Sequence, residues 1–261
     1  MVVDVRHPTR LPGASLRAVR YPAHLTQPRH SHEHTTVTLV LGGTLEEDVG
    51  AAHEEAGALS VVFKPAGTCH ANRMGPRGAA TLQLTLEAGV VDGPNHPVGP
   101  GDWCWIHGGP AARRFLDLAV GARDGESDAE LEDRMFDLLG SVRSGTGEDA
   151  SPEGVPDWLM RVSEELDDTF REPRRVRDLA ADASVHPVAL ARAHRRHFGC
   201  SITERIKARR IGEAAALLGG PDVAISSVAY RTGFADQSHL TRVFRSETGL
   251  TPGAYRALVT D

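Results

Sequence analysis

Residues 225–256, ISSVAYRTGFADQSHLTRVFRSETGLTPGAYR, predict the architecture of the C-terminal part of this chain. Apolar residues spaced by three and four, from Ile225 to Ala229, are typical of a short helix. Gly233 interrupts this spacing where a chain that reverses between two helices needs a positive φ. Asp236 is a suitable N-cap, and Leu240 and Phe244 lie on one apolar stripe of a second helix. The stretch therefore predicts a helix, a tight turn and a second helix.

The second helix of this pair carries a polar face opposite its apolar stripe. The polar face consists of Gln237, Ser238, His239, Thr241, Arg242 and Arg245. Amide, hydroxyl, imidazole and guanidinium groups can meet base edges and phosphates when a helix lies in the major groove. The pattern therefore predicts a helix that reads DNA.

The same stretch resembles the signature of AraC-type transcription regulators. The matching positions are Gly233-Phe234, Asp236, Ser238, Leu240, Arg242, Phe244, Gly249, Thr251-Pro252 and Tyr255-Arg256. The resemblance implies two helix-turn-helix units in tandem, a connecting helix between them and insertion into successive major grooves. It also implies double-stranded DNA, a promoter or operator, as the partner, with RNA polymerase as a further candidate.

A diverged copy of the unit lies upstream, in residues 176–199, VRDLAADASVHPVALARAHRRHFG. Ser184 stands where glycine is usual in the turn, His186 is at the cap, and His194 takes the place that Phe244 has in the second unit. A buried neutral histidine would need a hydrogen-bond partner. We expect this unit to contribute less base readout and more phosphate contacts. Its candidate DNA-binding residues are Val188, Arg192, Arg195 and Arg196.

The charge distribution also favours DNA binding by the C-terminal part. Residues 172–261 hold 14 Lys and Arg against 9 Asp and Glu, a net charge of +5, whereas the whole chain has −6. Residues 1–150 hold 13 basic and 20 acidic residues, a net charge of −7. A basic segment within an acidic protein is typical of nucleic-acid binding. The alternative is a small helical bundle whose arginines only solvate its surface.

The first hundred residues predict short antiparallel strands. Residues 36–41, 59–63 and 79–86 are rich in β-branched or apolar residues and are separated by Gly and Pro, which favours a barrel or jelly roll. Two segments, His30-Ser31-His32 and Pro65-Ala66-Gly67-Thr68-Cys69-His70, resemble the two motifs of a cupin, the usual sensor module of AraC-type regulators. The resemblance implies a cavity for a small-molecule effector of unknown identity.

Five side chains are candidates for effector binding: His30, His32, His70, Trp103 and Trp105. Cupin enzymes use such histidines as metal ligands, but the glutamate that follows the second histidine in the cupin pattern is absent here. This difference favours a binding vessel, and we expect no enzymatic activity and no cofactor. The alternatives are a metal-dependent cupin enzyme, or a metal or redox sensor, with a metal on His30, His32 and His70. The two tryptophans could equally be core residues.

The middle of the chain predicts a helix and a linker. Residues 128–142 place five apolar side chains at helical spacing: Leu131, Met135, Leu138, Leu139 and Val142. This stripe could pack on its own barrel, but the helix after the barrel commonly dimerises in AraC-type regulators, so we expect a homodimer. Residues 143–155 are rich in Gly, Ser and Pro and predict a flexible linker. Another helix is expected from Pro156.

The predicted fold class is multidomain α+β. We expect a cupin-like or jelly-roll-like antiparallel β-barrel with following helices in residues 1–125, a dimerisation helix and linker in 126–155, and an all-α domain with two helix-turn-helix units in 156–261. The three cysteines show no CxxC spacing, which fits free thiols. We expect a cytoplasmic protein without membrane contact, because we see neither an apolar run of about twenty residues nor a signal sequence.

Overall fold

The structure is a computed structural model that describes residues 4–5, 8–91, 103–145, 154–220 and 223–260. The strands are β1 (Asp4–Val5), β2 (Thr9–Leu11), β3 (Ala14–Tyr21), β4 (Thr26–His30), β5 (Thr36–Val49), β6 (Ala52–Ala56), β7 (Ser60–Lys64), β8 (His70–Leu86) and β9 (Cys104–His107). The helices are α1 (Gly109–Asp124), α2 (Asp128–Gly145), α3 (Asp157–Thr169), α4 (Val176–Asp182), α5 (Pro187–Phe198), α6 (Ile202–Leu218), α7 (Ile225–Arg231), α8 (Gln237–Thr248) and α9 (Pro252–Thr260). The predicted order of strands followed by helices is confirmed.

The strands pair in one antiparallel sheet in the order β1-β3-β8-β5-β7-β9, with β2 on β3, β4 on β8 and β6 on β5. Strands β5 and β8 are long, and they pair in two segments separated by register shifts between Val40 and Leu45. The predicted strands 36–41 and 79–86 are therefore halves of longer strands. The glycines that suggested strand ends, Gly42 and Gly43, lie at these shifts, where they bend the strand without ending it.

The bent sheet encloses a small core of its own. Trp105 of β9 packs against the cluster that contains Val40, Leu45 and Met74 of β5 and β8. The second half of β5 therefore lies opposite β9, although the two strands are not neighbours in the sheet. Side chains from β5, β6, β8 and β9 share this interior.

Helix α2 is present as predicted, and its apolar stripe is buried within the chain. The five residues of the stripe are at most 6 % exposed and belong to the cluster that also contains residues of the sheet and of α1. Helical spacing predicts that a face is buried but does not identify what covers it. The stripe is therefore covered within the chain, and the dimerisation role of α2 stays a prediction; Phe136, 48 % exposed, is the large apolar side chain that α2 leaves exposed.

Two cores divide the helices in a way that the sequence did not predict. Helices α3, α4 and α5 and the start of α6 share one cluster. The rest of α6 and helices α7, α8 and α9 belong to the same large cluster as the sheet, α1 and α2. The second helix-turn-helix unit is therefore packed against the N-terminal half, and the first unit has a core of its own.

Some predictions lie partly or wholly outside the described residues. The predicted linker 143–155 includes residues 146–153, which are outside this part of the chain, and the three domain boundaries stay predictions. Helix α3 begins at Asp157, with Pro156 at its N-cap. None of the helices in the described ranges has both the length and the apolar character needed to cross a membrane.

Candidate functional site

The second helix-turn-helix unit, α7 and α8, has the predicted turn and cap. Gly233 has a φ of 78°, and a Cβ at this position would lie 2.4 Å from the carbonyl oxygen of Arg171. The side chain of Asp236 accepts a hydrogen bond of 2.7 Å from the backbone N–H of His239. Leu240 and Phe244 are fully buried. The turn therefore requires glycine both for its backbone conformation and for its close approach to the end of α3.

The outer face of α8 is polar and has few internal partners. Gln237, Ser238, Arg242 and Arg245 are exposed, and the side chains of Arg242 and Arg245 form no ion pair or hydrogen bond with any described residue. The ring of His239, by contrast, packs edge-on against Phe234 with 5.2 Å between the centroids. Two guanidinium groups without partners are free to bind an anion or a base edge.

A concave surface along this face encloses a volume of about 620 Å³. Three of its lining residues lie outside the predicted set: Arg113 of α1, and Ser246 and Thr251 at the C-terminal end of α8. Arg113 is not among the residues predicted from the sequence, because it lies 129 positions before Arg242 and no local pattern connects the two.

The first unit, α4 and α5, repeats the arrangement with the expected differences. Ser184 adopts a φ of 55°, the left-handed conformation that glycine supplies in the second unit. The ring nitrogen Nδ1 of His186 accepts a hydrogen bond from the N–H of Val188 and caps α5. Val188, Arg192, Arg195 and Arg196 are all exposed on α5. The predicted candidates of this unit therefore lie on its accessible surface.

His194 is buried in the position that Phe244 occupies in the second unit. Its Nδ1 lies 2.7 Å from the carbonyl oxygen of Cys200, whereas its Nε2 is buried without a hydrogen-bond partner among the described residues. Burial lowers the pKa of His194. The imidazole is therefore a neutral core residue that donates its Nδ1–H to the backbone.

Helix α6 connects the two units. Ser201 and Glu204 form a capping box at its start, since the Ser201 hydroxyl accepts from the N–H of Glu204 and the Glu204 carboxylate accepts from the N–H of Ser201. Ala214 and Leu218 are fully buried toward the second unit. The helix therefore fixes the separation between α5 and α8.

In the N-terminal half, the structure brings His30, His32 and His70 together. Their ring centroids are 4.3 to 5.2 Å apart, and one potential ligand nitrogen of each lies within 4.8 Å of the others. Nδ1 of His30 bonds to the carbonyl of Pro28, and Nδ1 of His70 bonds to the carbonyl of Thr68. These bonds place the proton on Nδ1 and leave a lone pair on Nε2.

The protonation state and the environment of His70 are those of a metal-binding residue. His70 is fully buried, and its Nε2 has no partner among the described residues. Burial is the main reason why the pKa of His70 falls to about 4 and that of His32 falls below its ordinary value. Three imidazoles, of which His70 has an orphaned buried nitrogen, are a chemically suitable donor set for a divalent transition metal.

A buried polar network lies beside the histidines. The carboxylate of Glu47 is fully buried and pairs with the ammonium of Lys64, and its Oε2 accepts hydrogen bonds from Nε1 of Trp103, at 2.9 Å, and of Trp105, at 3.1 Å. The two indoles therefore share a face, as predicted. Glu47 is not among the residues predicted from the sequence, although strand alternation from the buried Leu45 places it inward.

Helix α9, which follows the second unit, docks on the sheet through specific polar contacts. The hydroxyl of the fully buried Tyr255 donates a hydrogen bond of 2.6 Å to the carbonyl of Leu41 in β5. The guanidinium of Arg20 in β3 bonds to the carbonyl of Val259. A cavity of about 250 Å³ lies where β3 and β8 meet α1 and α9. The two halves of the chain are therefore in direct contact.

Comparison with known proteins agrees with this geometry. The helix-turn-helix domain family matches residues 179–258. The arabinose operon regulatory protein of Salmonella typhimurium is 29 % identical over 103 residues, 40 % of this chain and 36 % of that protein. The transcriptional activator RhaR of Escherichia coli is 25 % identical over 187 residues, 68 % of this chain and 65 % of that protein.

A solved DNA-binding domain matches at higher identity. The DNA-binding domain of the transcriptional factor AdpA, solved with a target DNA, is 30 % identical and covers 40 % of this chain and 93 % of that domain, with a TM-score of 0.38. The chain spans about a third of the length of the first curated relatives that it matches. Residues 179–258 therefore resemble the helix-turn-helix domain of AraC-type transcription regulators.

Proposed function

We propose that this protein is a sequence-specific, DNA-binding transcription regulator whose N-terminal half senses an effector. The observation that carries the proposal is the outer face of α8, where Arg242 and Arg245 have no partner among the described residues. A guanidinium in the first half of a reading helix can bind O6 and N7 of guanine, whereas one later on the helix lies nearer the backbone. Arg242 would therefore discriminate bases and Arg245 would bind a phosphate.

Two single substitutions test these roles. Arg242→Ala should lower the ratio of specific to non-specific affinity, because a bidentate contact to guanine is worth about 1–3 kcal/mol. Arg245→Ala should weaken binding about equally on all duplexes. Fluorescence anisotropy measures the affinity of each variant for a duplex selected by the wild-type protein and for a scrambled duplex. The two affinities give the ratio for each variant. The assignment is wrong if Arg242→Ala leaves the ratio at its wild-type value.

The effector is proposed to bind beside the three histidines and the indoles of Trp103 and Trp105. His70→Ala should alter the effector response and leave the DNA affinity of the effector-free protein unchanged, since the two sites are in different parts of the chain. An unaltered dose response would place the effector elsewhere, for example in the cavity between the sheet, α1 and α9. We also propose that the protein dimerises. Helix α2 could contribute to the dimer interface only through its outer surface around Phe136.

A metal sensor is the second candidate function, and the orphaned Nε2 of His70 favours it. His30, His32 and His70 would hold a divalent ion, which supplies a positive charge beside Lys64 and Glu47. Titration of the metal-free protein with Co²⁺ should then give d–d absorption bands that His70→Ala removes. His34→Ala is the matched control, because His34 is an exposed neighbour outside the cluster. Absence of the bands in the wild-type protein excludes this candidate.

A further inference from the structure

We propose that Arg113 of α1, a residue outside both helix-turn-helix units, binds a phosphate of the same DNA that α8 reads. This inference rests on the proposed DNA-binding function and adds a contact from the N-terminal half. It makes the sensor half part of the DNA-binding surface.

The first support is the composition of the concave surface beside α8. Arg113, Arg242 and Arg245 line it together with the hydroxyl-bearing Ser238, Thr241 and Thr251. None of the described residues that line this surface carries a carboxylate. Three guanidinium groups and several hydroxyls around one open concavity favour a polyanion with regularly spaced charges, and DNA phosphates have that chemistry.

The second support is the way Arg113 is held. Its Nη1 donates a hydrogen bond of 2.9 Å to the carbonyl oxygen of Ser246, in the last turn of α8. A cation is favoured there, because the last carbonyls of a helix lack intrahelical partners. The only carboxylate in ion-pair range among the described residues is that of Asp117, at 4.0 Å from Nε. Most of the five guanidinium N–H groups therefore remain free.

The neighbouring arginine shows that this position is specific. Arg114 has the same side-chain exposure as Arg113, 49 %, but it pairs with Asp137 of α2 at 3.5 Å. One arginine is therefore directed to the reading helix and the next one to α2. A surface that merely solvated α1 would not require the first of these contacts.

The position of α1 gives the contact a consequence for regulation. Helix α1 begins two residues after β9, which carries Trp105 and its bond to Glu47. A change in the polar network of the sheet would reach Arg113 through little more than one turn of helix. The contact therefore provides a direct route by which the N-terminal half can alter DNA affinity.

The test compares Arg113→Ala with Arg114→Ala in the full chain. The probe is a mixed-sequence DNA duplex of about 30 base pairs, long enough for two successive major grooves. The dissociation constant is measured over a range of salt concentrations. Loss of one phosphate contact makes the negative slope of the logarithm of the binding constant against log salt shallower by about 0.9. We expect this change and about a ten-fold loss of affinity for Arg113→Ala, and wild-type behaviour for Arg114→Ala.

A third variant separates charge from packing. Arg113→Gln keeps an N–H donor for the carbonyl of Ser246 but removes the positive charge, so it should show the same shallower slope with an unchanged melting temperature. Equal slopes for the wild type and both Arg113 variants would overturn the inference and leave the proposed function intact. No affinity of the wild-type protein for any duplex, at any salt concentration, would overturn both.

Discussion

Tyr255→Phe is the most informative single substitution at the contact between the second helix-turn-helix unit and the sheet. It removes one hydroxyl, which donates a hydrogen bond of 2.6 Å to the carbonyl of Leu41, and it keeps the ring, which packs edge-on against Phe244 at 5.3 Å. The site is fully buried, so water cannot replace the lost donor. An unsatisfied buried carbonyl costs about 1–3 kcal/mol.

Thermal unfolding of the full chain measures this cost. For a chain of this length, each kcal/mol lowers the melting temperature by about 2–4 °C. Tyr230→Phe is the matched control, because Tyr230 is 85 % exposed and should change the free energy of unfolding by less than about 0.5 kcal/mol. Equal melting temperatures for the two variants would refute the docking of α9 on β5.

The pH dependence of stability checks the same contact independently. Burial raises the pKa of Tyr255 above its ordinary value of 10.0. The phenol therefore stabilises the folded state fully below pH 10.0, and this contribution is lost as the pH rises above that value, because the unfolded chain ionises first. Tyr255→Phe should remove this alkaline loss, whereas Tyr230→Phe should retain it.

Three further predictions concern other positions in the structure. Glu47→Gln leaves the ammonium of Lys64 buried without its partner and should cost about 3–5 kcal/mol in urea unfolding, of which the added change Lys64→Met should recover a part. Gly233→Ala should lower the melting temperature more than Gly199→Ala. Both glycines have a positive φ, but only a Cβ at position 233 would collide with backbone atoms, those of Arg171. Protonation of His194 lowers the stability of the protein below pH 6.5, because the unfolded chain binds this proton more readily than the folded chain. His194→Phe should reduce this loss, which urea unfolding at several pH values will measure.

Local signals in the sequence predicted the helix-turn-helix units well. The turn at Gly233 and the caps at Asp236 and His186 each depend on residues a few positions apart, so the chain around them contains the necessary information. The same holds for strand alternation, which places Glu47 inward once Leu45 is known to be buried.

Contacts between distant segments could not be predicted in this way. The apolar stripe of α2 shows only that something covers it, and the covering residues belong to α1 and the sheet. Likewise, no local pattern connects Arg113 with Ser246 or Tyr255 with Leu41. These contacts arise from the packing of the whole chain, because apolar surface is buried by whichever segment fits it.

Selection of binding sites from a random pool of DNA duplexes tests the central claim most directly. The full chain should enrich one sequence with two half-sites about one helical turn apart, since α5 and α8 would enter successive major grooves. A variant with alanine at Gln237, Ser238, Arg242 and Arg245 should lose the half-site that α8 reads and keep the other. Enrichment of no sequence by the wild-type protein, or of the same complete site by the variant, would contradict the claim that α8 reads DNA.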